Sequence, residues 1–514
     1  MKKTLITVFL FAAAVLLPLP FAIAGVNRGK EQLTITEECL SGDSAAADGI
    51  TLEVASHLDR YMMWDTAYTI GSGSGAESKF TFSRRPVSQE RSAEKSAYIN
   101  HEFSSDYGTV ASGDQTASGS YSGVAQKFVS YTDSLNAEIC AFPKAVRAVA
   151  DRTQAGETRT ETVRLADYYE FWPLTFHLEG MSSIVYEGDY NTACDYLTDF
   201  FRIPTADALL QITLEKNPTD HIVFVQIRVI PNSAPISVVN QSAFGQNGLY
   251  FSFRPERGDG GDHAASGQDQ ELFYFPFTQE DNFLHIDLTQ VQRLCRFPDG
   301  LSAEQLLLNE EENLLYLLGR SGTDYKLCLY SLAGETPVLL QQLPIERGSS
   351  GAEQTAAPFC RITRENGGVL MIWNDGSFSF AAEENGRYRQ WCSGVFPVNP
   401  ENPQDSNKRF LQENVCAFDG TRLVLAAFES KYSLNVLLTV CREGEQVYSG
   451  LYRHSGTEPL GFSGSTLLPK GVNMDSFENG RSAASPLRII LGGEADMPVH
   501  ASNLSCKLCR NRIE

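Results

Sequence analysis

Residues 360–396, CRITRENGGVLMIWNDGSFSFAAEENGRYRQWCSGVF, break into four short runs separated by turn formers. The runs are Cys360-Arg361-Ile362, Val369 to Trp373, Ser377 to Ala381 and Tyr388 to Phe396; Glu365-Asn366-Gly367-Gly368 and Asn374-Asp375-Gly376 fill the first gaps. β-Branched and aromatic residues gather in the runs, Gly, Asn and Asp in the gaps, as in strands joined by hairpins. The same grammar recurs on both sides. Upstream it gives Leu306 to Leu308, Leu314 to Leu318, Tyr325 to Ser331 and Val338 to Leu343, with a first turn at Asn309 to Asn313. Downstream it gives Val415 to Phe418, Arg422 to Phe428, Ser433 to Cys441 and Gln446 to Tyr452, with a first turn at Asp419-Gly420. Each copy predicts four antiparallel strands in up-and-down order, and a repeat of this kind decides architecture more firmly than any single residue.

One sheet of four short strands cannot bury both of its faces. Stacking such sheets around an axis covers the faces and leaves few open edges. On these units, over residues 300–455 with weaker echoes at 168–230 and 248–295, the chain resembles β-propeller repeat proteins at the level of the superfamily. Trp64-Asp65 occurs once and is no recurring blade ending, and no Asp-box of the sialidase kind is present. The resemblance implies a shape, an all-β antiparallel propeller, and no activity. Tandem β-sandwich domains are the alternative that many short strands also satisfy. Propeller rings are often closed by strands from both chain ends, so a strand near Ile50 or Trp64 is expected to pair with one near Arg488-Ile489-Ile490-Leu491.

Further strands are predicted at Gly49 to Val54, Lys79 to Phe82, Ala208 to Leu214 and Ile222 to Val229. Pro143 to Arg152 is the best helical segment, opened by its proline, while Ala303 to Leu308 fits helix or strand. Loops are expected at 71–76, 83–96, 104–123, 255–271, 347–357 and 399–408.

At the N-terminus Lys2 and Lys3 precede an apolar run from Leu5 to Leu17, then Pro18, Pro20 and Ala22-Ile23-Ala24-Gly25. This is the pattern of a secretory signal peptide cleaved after Ala24. The competing reading is an uncleaved anchor, since no charge interrupts the run between Thr4 and Asn27. Arg28 and Lys30, just beyond the run, weigh against the anchor. The domain plan that follows is a leader or anchor at 1–24, a linker at 25–45, a propeller-like domain at 46–495 and a C-terminal tail at 496–514.

The 514 residues carry 42 Lys plus Arg against 63 Asp plus Glu, a formal net charge of -21. A nucleic-acid partner is disfavoured, because neutralising phosphates needs a cationic face. Eleven cysteines, an odd count, leave at least one thiol outside any intramolecular disulfide. Several lie in strand-like runs, Cys328 and Cys416 among them, where a thiol packs as a small hydrophobe.

Four local patterns carry candidate chemistry. Arg257-Gly258-Asp259-Gly260-Gly261-Asp262-His263 joins an adhesion-type tripeptide to clustered carboxylates, but lacks the oxygen spacing and closing Glu of an EF-hand; an acidic loop tip is the favoured reading. Cys506-Lys507-Leu508-Cys509 has the spacing of half a zinc site or of a redox pair, with no second half, and reads as a tail. Tyr168-Tyr169-Glu170-Phe171-Trp172-Pro173 offers rings for sugar stacking and one carboxylate for acid–base work. As a strand it would place Tyr169, Phe171 and Pro173 on one face, and core packing is the favoured reading. Gly71-Ser72-Gly73-Ser74-Gly75 and Gly461-Phe462-Ser463-Gly464-Ser465 both miss the nucleophile-elbow pattern. The eight histidines, at 57, 101, 177, 221, 263, 285, 454 and 500, form no His-x-x-x-His or His-Glu-x-x-His pair.

No catalytic, cofactor or metal residue is assigned from the sequence. The expected function is an extracytoplasmic binding or sensing module for an unidentified glycan, peptide or envelope protein. A carboxylate-dependent glycoside hydrolase or lyase and a structural envelope protein are the alternatives. The cofactor is unknown.

Overall fold

The computed structural model describes residues 34–58, 62–73, 76–82, 96–101, 142–179, 184–205, 208–230, 236–257, 270–280, 283–334, 336–348, 360–365, 367–397, 414–429, 435–455, 468–469 and 487–491. The chain divides into two compact units, Met1–Glu94 with Leu343–Glu514, and Lys95–Gln342. Each is built mainly of antiparallel sheets.

In the first unit, strands Cys360–Glu365, Gly368–Trp373, Ser377–Glu384 and Arg387–Val395 form one sheet in chain order. Val415–Phe418, Arg422–Phe428, Val436–Arg442 and Glu445–Ser455 form the next in the same order. These are the four-stranded up-and-down units expected from the repeat. A closing sheet contains Ile50–Leu58, Met62–Thr69 and Glu77–Phe82, and Leu487–Leu491 pairs antiparallel with its first strand, Ile50 opposite Leu491 and Val54 opposite Leu487. The expected meeting of the two chain ends is therefore present. Thr34–Gly42, inside the segment expected as a linker, adds a fifth strand outside Glu445–Ser455.

Alternation along Arg422–Phe428 shows how the sheets relate. Leu423, Leu425 and Ala427 pack into a core with Leu370, Phe378, Phe380 and Phe396 of the 360–395 sheet and its end. Val424, Ala426 and Phe428 pack the opposite way, with Ile50, Leu52, Val54, Tyr68 and Ile489 of the closing sheet. The 415–455 sheet is thus covered on both faces by successive sheets. A two-layer sandwich covers one face of each sheet, whereas propeller blades are shielded on both. Near-continuous apolar strands such as Val-Leu-Met-Ile-Trp at 369–373, buried along their length, are the sequence correlate.

In the second unit, Ser302–Asn309, Leu314–Ser321, Asp324–Ser331 and Val338–Ile345 form a four-stranded sheet in chain order, the last strand running across the boundary between units. The ambiguous 303–308 run is strand. Ile236–Phe244, Gly248–Arg257, Glu271–Glu280 and Gln292–Arg296 pair successively as a second such sheet. Leu272 and Ala243 of that sheet share a core with Leu315, Leu317, Cys328 and Tyr330 of the 302–345 sheet. Glu271–Glu280 also pairs with Phe283–Ile286, which takes Ile184–Tyr186 as a parallel neighbour. A three-stranded sheet of Thr158–Arg164, Leu209–Lys216 and Ile222–Val229 completes the larger core with helices α1 (Pro143–Arg152) and α2 (Tyr190–Phe201). Helix α1 occupies the predicted segment, and α2 is an addition to the sequence reading.

One expected element is corrected. Residues 168–173 are not a strand: the chain leaves a 3₁₀ turn at Leu165–Asp167, and Phe171 makes only an isolated bridge to Pro204. Phe142 beside α1 packs edge-on to Tyr169 and Trp172, and the Trp172 amide donates to the Ile203 carbonyl at 2.8 Å, so the path is held by aromatic packing and a single bridge that does not extend into a ladder.

Candidate functional site

Within an up-and-down sheet, the hairpin joining the second and third strands lies at the same end as the connection to the next sheet. At that end of the 360–395 sheet, Glu346 and Arg347 lie across the strands. The Glu346 carbonyl accepts from Ser379 Oγ at 2.6 Å and Gln390 Nε2 at 2.7 Å, while the Glu346 amide donates to Gln390 Oε1 at 2.7 Å. Arg347 Nε donates to Ser377 Oγ at 2.7 Å, its guanidinium pairs with Asp375, and its charge lies 5.5 Å from the centre of the Trp373 ring. Burial pushes the Asp375 carboxyl up, but the Ser377 hydroxyl and amide together with Arg347 outweigh burial and hold it below the usual range. This carboxylate stays ionised with its oxygens engaged, which suits fastening a connection and not proton donation.

A second polar cluster lies where Thr34–Gly42, Glu445–Ser455 and the closing sheet meet. Tyr448 OH donates to Glu37 Oε1 at 2.6 Å, and the Tyr448 and Tyr452 hydroxyls are 2.9 Å apart. Gly450 makes this possible, since a Cβ there would collide with the Tyr448 ring. The Tyr68 ring lies 6.0 Å from Tyr452 and 5.4 Å, edge-on, from His454, whose Nε2 is 3.3 Å from Tyr68 OH. The His454 amide donates to Asn435 Oδ1 at 3.0 Å. Burial lowers the His454 pKa to about 4, and burial also raises the Tyr68 and Tyr452 phenols. At neutral pH the histidine and both phenols are uncharged, so the cluster is a polar latch on the N-terminal strand. No sequence motif announced it; the available signal was the period-two spacing of Tyr448, Gly450, Tyr452 and His454, which puts them on one strand face.

The cysteine reading holds where residues are described. Cys194, Cys328, Cys360, Cys392 and Cys441 are buried, Cys295 and Cys416 half-buried, and Cys39 exposed. Cys392 and Cys441 share the core between the 360–395 and 415–455 sheets with Cys416 packed against it. A hydrogen bond between Cys392 and Cys441, with burial, raises the Cys392 pKa, and burial pushes the Cys295 thiol up to about 11. Such thiols are protonated and weakly reactive. Among the described residues, no group of three or more His, Cys, Asp or Glu is arranged to hold a metal ion.

Of the patterns singled out in the sequence, residues 168–173 are described. Trp172 is buried against the α1 region, Tyr169 OH accepts from the Lys144 amide at 2.8 Å, and Glu170 is exposed. The rings serve packing and form no open platform around Glu170. Residues 258–263, Cys506 to Cys509 and Gly461 to Ser465 lie outside the described residues, as do Ser74 and Gly75.

No family model matches the chain, and no curated protein matches it. Among solved structures, a protein from Lactobacillus plantarum is 12% identical over 50% of this chain and 64% of its own, with a TM-score of 0.25. This chain thus spans less than two thirds of that protein. The periplasmic gluconolactonase of Pseudomonas aeruginosa is 9% identical over 47% of this chain and 77% of its own, with a TM-score of 0.21. TolB from Acinetobacter baumannii is 7% identical over 57% of this chain and 79% of its own, with a TM-score of 0.19. Overlaps this low carry no inference about activity.

Proposed function

We propose that this chain is an extracytoplasmic binding module made of propeller-type blades, recognising its ligand through the loop ends of the sheets. The supporting observation is the two-sided burial of the 415–455 sheet, whose faces are consumed by packing against the sheets before and after it. Recognition is then left to strand ends, where connections such as Glu346–Arg347 are clasped in fixed positions. Loops set on a rigid scaffold are the usual carriers of binding function. The leader read at residues 1–24 supports export, and the acidic body favours a neutral or cationic ligand over a strongly anionic one.

Exported protein from residue 25 onward, applied to glycan and peptide arrays and to a panel of polysaccharides, tests the proposal. Saturable binding without turnover is the expected result. Polysaccharide cleavage abolished by a single Asp or Glu substitution would overturn it in favour of a carboxylate-dependent hydrolase or lyase.

A further inference from the structure

The 360–395 and 415–455 sheets each break register beside a cysteine. In the first, Phe380 pairs with Cys392 but Ala381 with Gln390, so Trp391 is an extra residue that bends its strand just before Cys392. In the second, Val440 pairs with Tyr448 but Cys441 with Gln446, so Val447 is the extra residue, next to the partner of Cys441. Facing sheets ordinarily stand about 10 Å apart. Here they converge. A Cβ on Gly444, in the turn after Cys441, would lie 2.8 Å from the Trp391 carbonyl oxygen. Gln446 grips the Val395 backbone, accepting from its amide at 2.9 Å and donating to its carbonyl at 3.0 Å. Cys392 and Cys441 enter the core between the two sheets from this junction, both buried, with a hydrogen bond between them.

We propose that Cys392 and Cys441 close a disulfide that fastens the 360–395 sheet to the 415–455 sheet. The proposal rests on the export read from residues 1–24, because disulfides persist in oxidising compartments. Cys416 packs against the same core, but the whole strand Arg422–Phe428 separates it from Cys441. Two strand spacings come to about 9–10 Å, beyond the roughly 7 Å that a disulfide spans between Cα atoms. The oxidant is an external disulfide, carried by an exchange protein or a small thiol. One cysteine thiolate attacks it, forming a mixed disulfide and expelling one external thiolate; the other cysteine attacks the first one's sulfur and expels the second. The two cysteine protons end on the two released thiols, and the external disulfide is reduced by two electrons. Both sulfurs are buried once the sheets pack, so exchange precedes packing.

The full chain, leader included, is expressed in a bacterial host, blocked with iodoacetamide in urea and digested with trypsin without reduction. Mass spectrometry should find peptide 390–408, which holds Cys392, linked to peptide 432–442, which holds Cys441, with peptide 410–422 and its Cys416 alkylated. Alkylation of both 390–408 and 432–442, or a link from either to 410–422, would overturn the proposal. Export is read separately, from the fraction that holds the protein and from loss of residues 1–24. If the chain stays in the cytoplasm, the purified reduced chain is refolded with oxidised and reduced glutathione, and the same peptides decide. Cys392→Ala and Cys441→Ala should each lower the melting temperature of the oxidised protein by about 5–10 °C. Reductant should lower the melt of the unsubstituted chain far more than that of either variant, and equal sensitivity in all three would also overturn the proposal.

Discussion

His454 and Tyr448 show what single side chains contribute to the joint between the N-terminal strand and the sheets. With its folded pKa lowered to about 4, His454 binds a proton less readily than in the unfolded chain, where a histidine titrates near its ordinary value of 6.5. The unfolded state therefore gains protons first as pH falls. Stability should be flat above about pH 6.5 and decline as pH drops toward about 4, and denaturant titrations of His454→Phe should show a shallower decline over that window. Tyr448→Phe removes the hydroxyl between Glu37 and Tyr452; because Glu37 can turn to water, the loss should be about 1–2 kcal/mol, read as a lower urea midpoint. The sequence held this cluster as a period-two row of Tyr448, Tyr452 and His454. Its other members, Glu37 and Tyr68, come from strands hundreds of positions earlier, and no local spacing could pair them.

Elements were legible wherever local pattern and burial agree. The three repeat copies appear as sheets because their apolar runs are long enough to be buried on both faces and their turns carry Gly, Asn or Asp. Gly42 marks the opposite case, where the reason is tertiary: it takes φ +81 beside a bulge, and a Cβ there would collide with the Val447 carbonyl. Helix α2 was not legible, since Asn, Thr, Asp and aromatic residues dominate Tyr190–Phe201. It forms because Asp189 caps its first turn through Thr192, and because Ala193 and Leu197 enter the core one turn apart. The clasp of Arg347 onto Asp375 was equally hidden, as its partners belong to a connection and a hairpin of no special composition. Asp375→Asn should weaken the ion pair that holds the half-buried Arg347 over Trp373 and cost about 1–3 kcal/mol, visible as a drop in melting temperature. Arg347→Met, which keeps a long stem on Trp373, should retain the apolar part of that contact and melt above Arg347→Ala.

At the scale of the whole molecule, the pairing of Ile50–Leu58 with Leu487–Leu491 joins segments more than four hundred positions apart in the sequence. It followed from the sequence by topology alone, since strands from the two chain ends often complete one sheet of a propeller. At the joint, Ile489 is buried in the core shared by the closing and 415–455 sheets. Ile489→Asp would put a carboxylate into that apolar core and should destabilise the first unit by about 3 kcal/mol or more. A chain ending at residue 486 makes a separate test, because it removes the strand without inserting a charge. Its backbone partners on Ile50–Leu58 then lose their ladder, and the face built from Val424, Ala426 and Phe428 loses one of its covers. The shortened chain should melt at lower temperature and over a broader range than the full chain. If the joint acts through strand pairing, a synthetic peptide spanning residues 484–496 should restore part of the lost melting temperature in a concentration-dependent way. The same peptide carrying Ile489→Asp should not. Equal melting of the full and shortened chains would mean that the closing sheet holds together without its C-terminal strand.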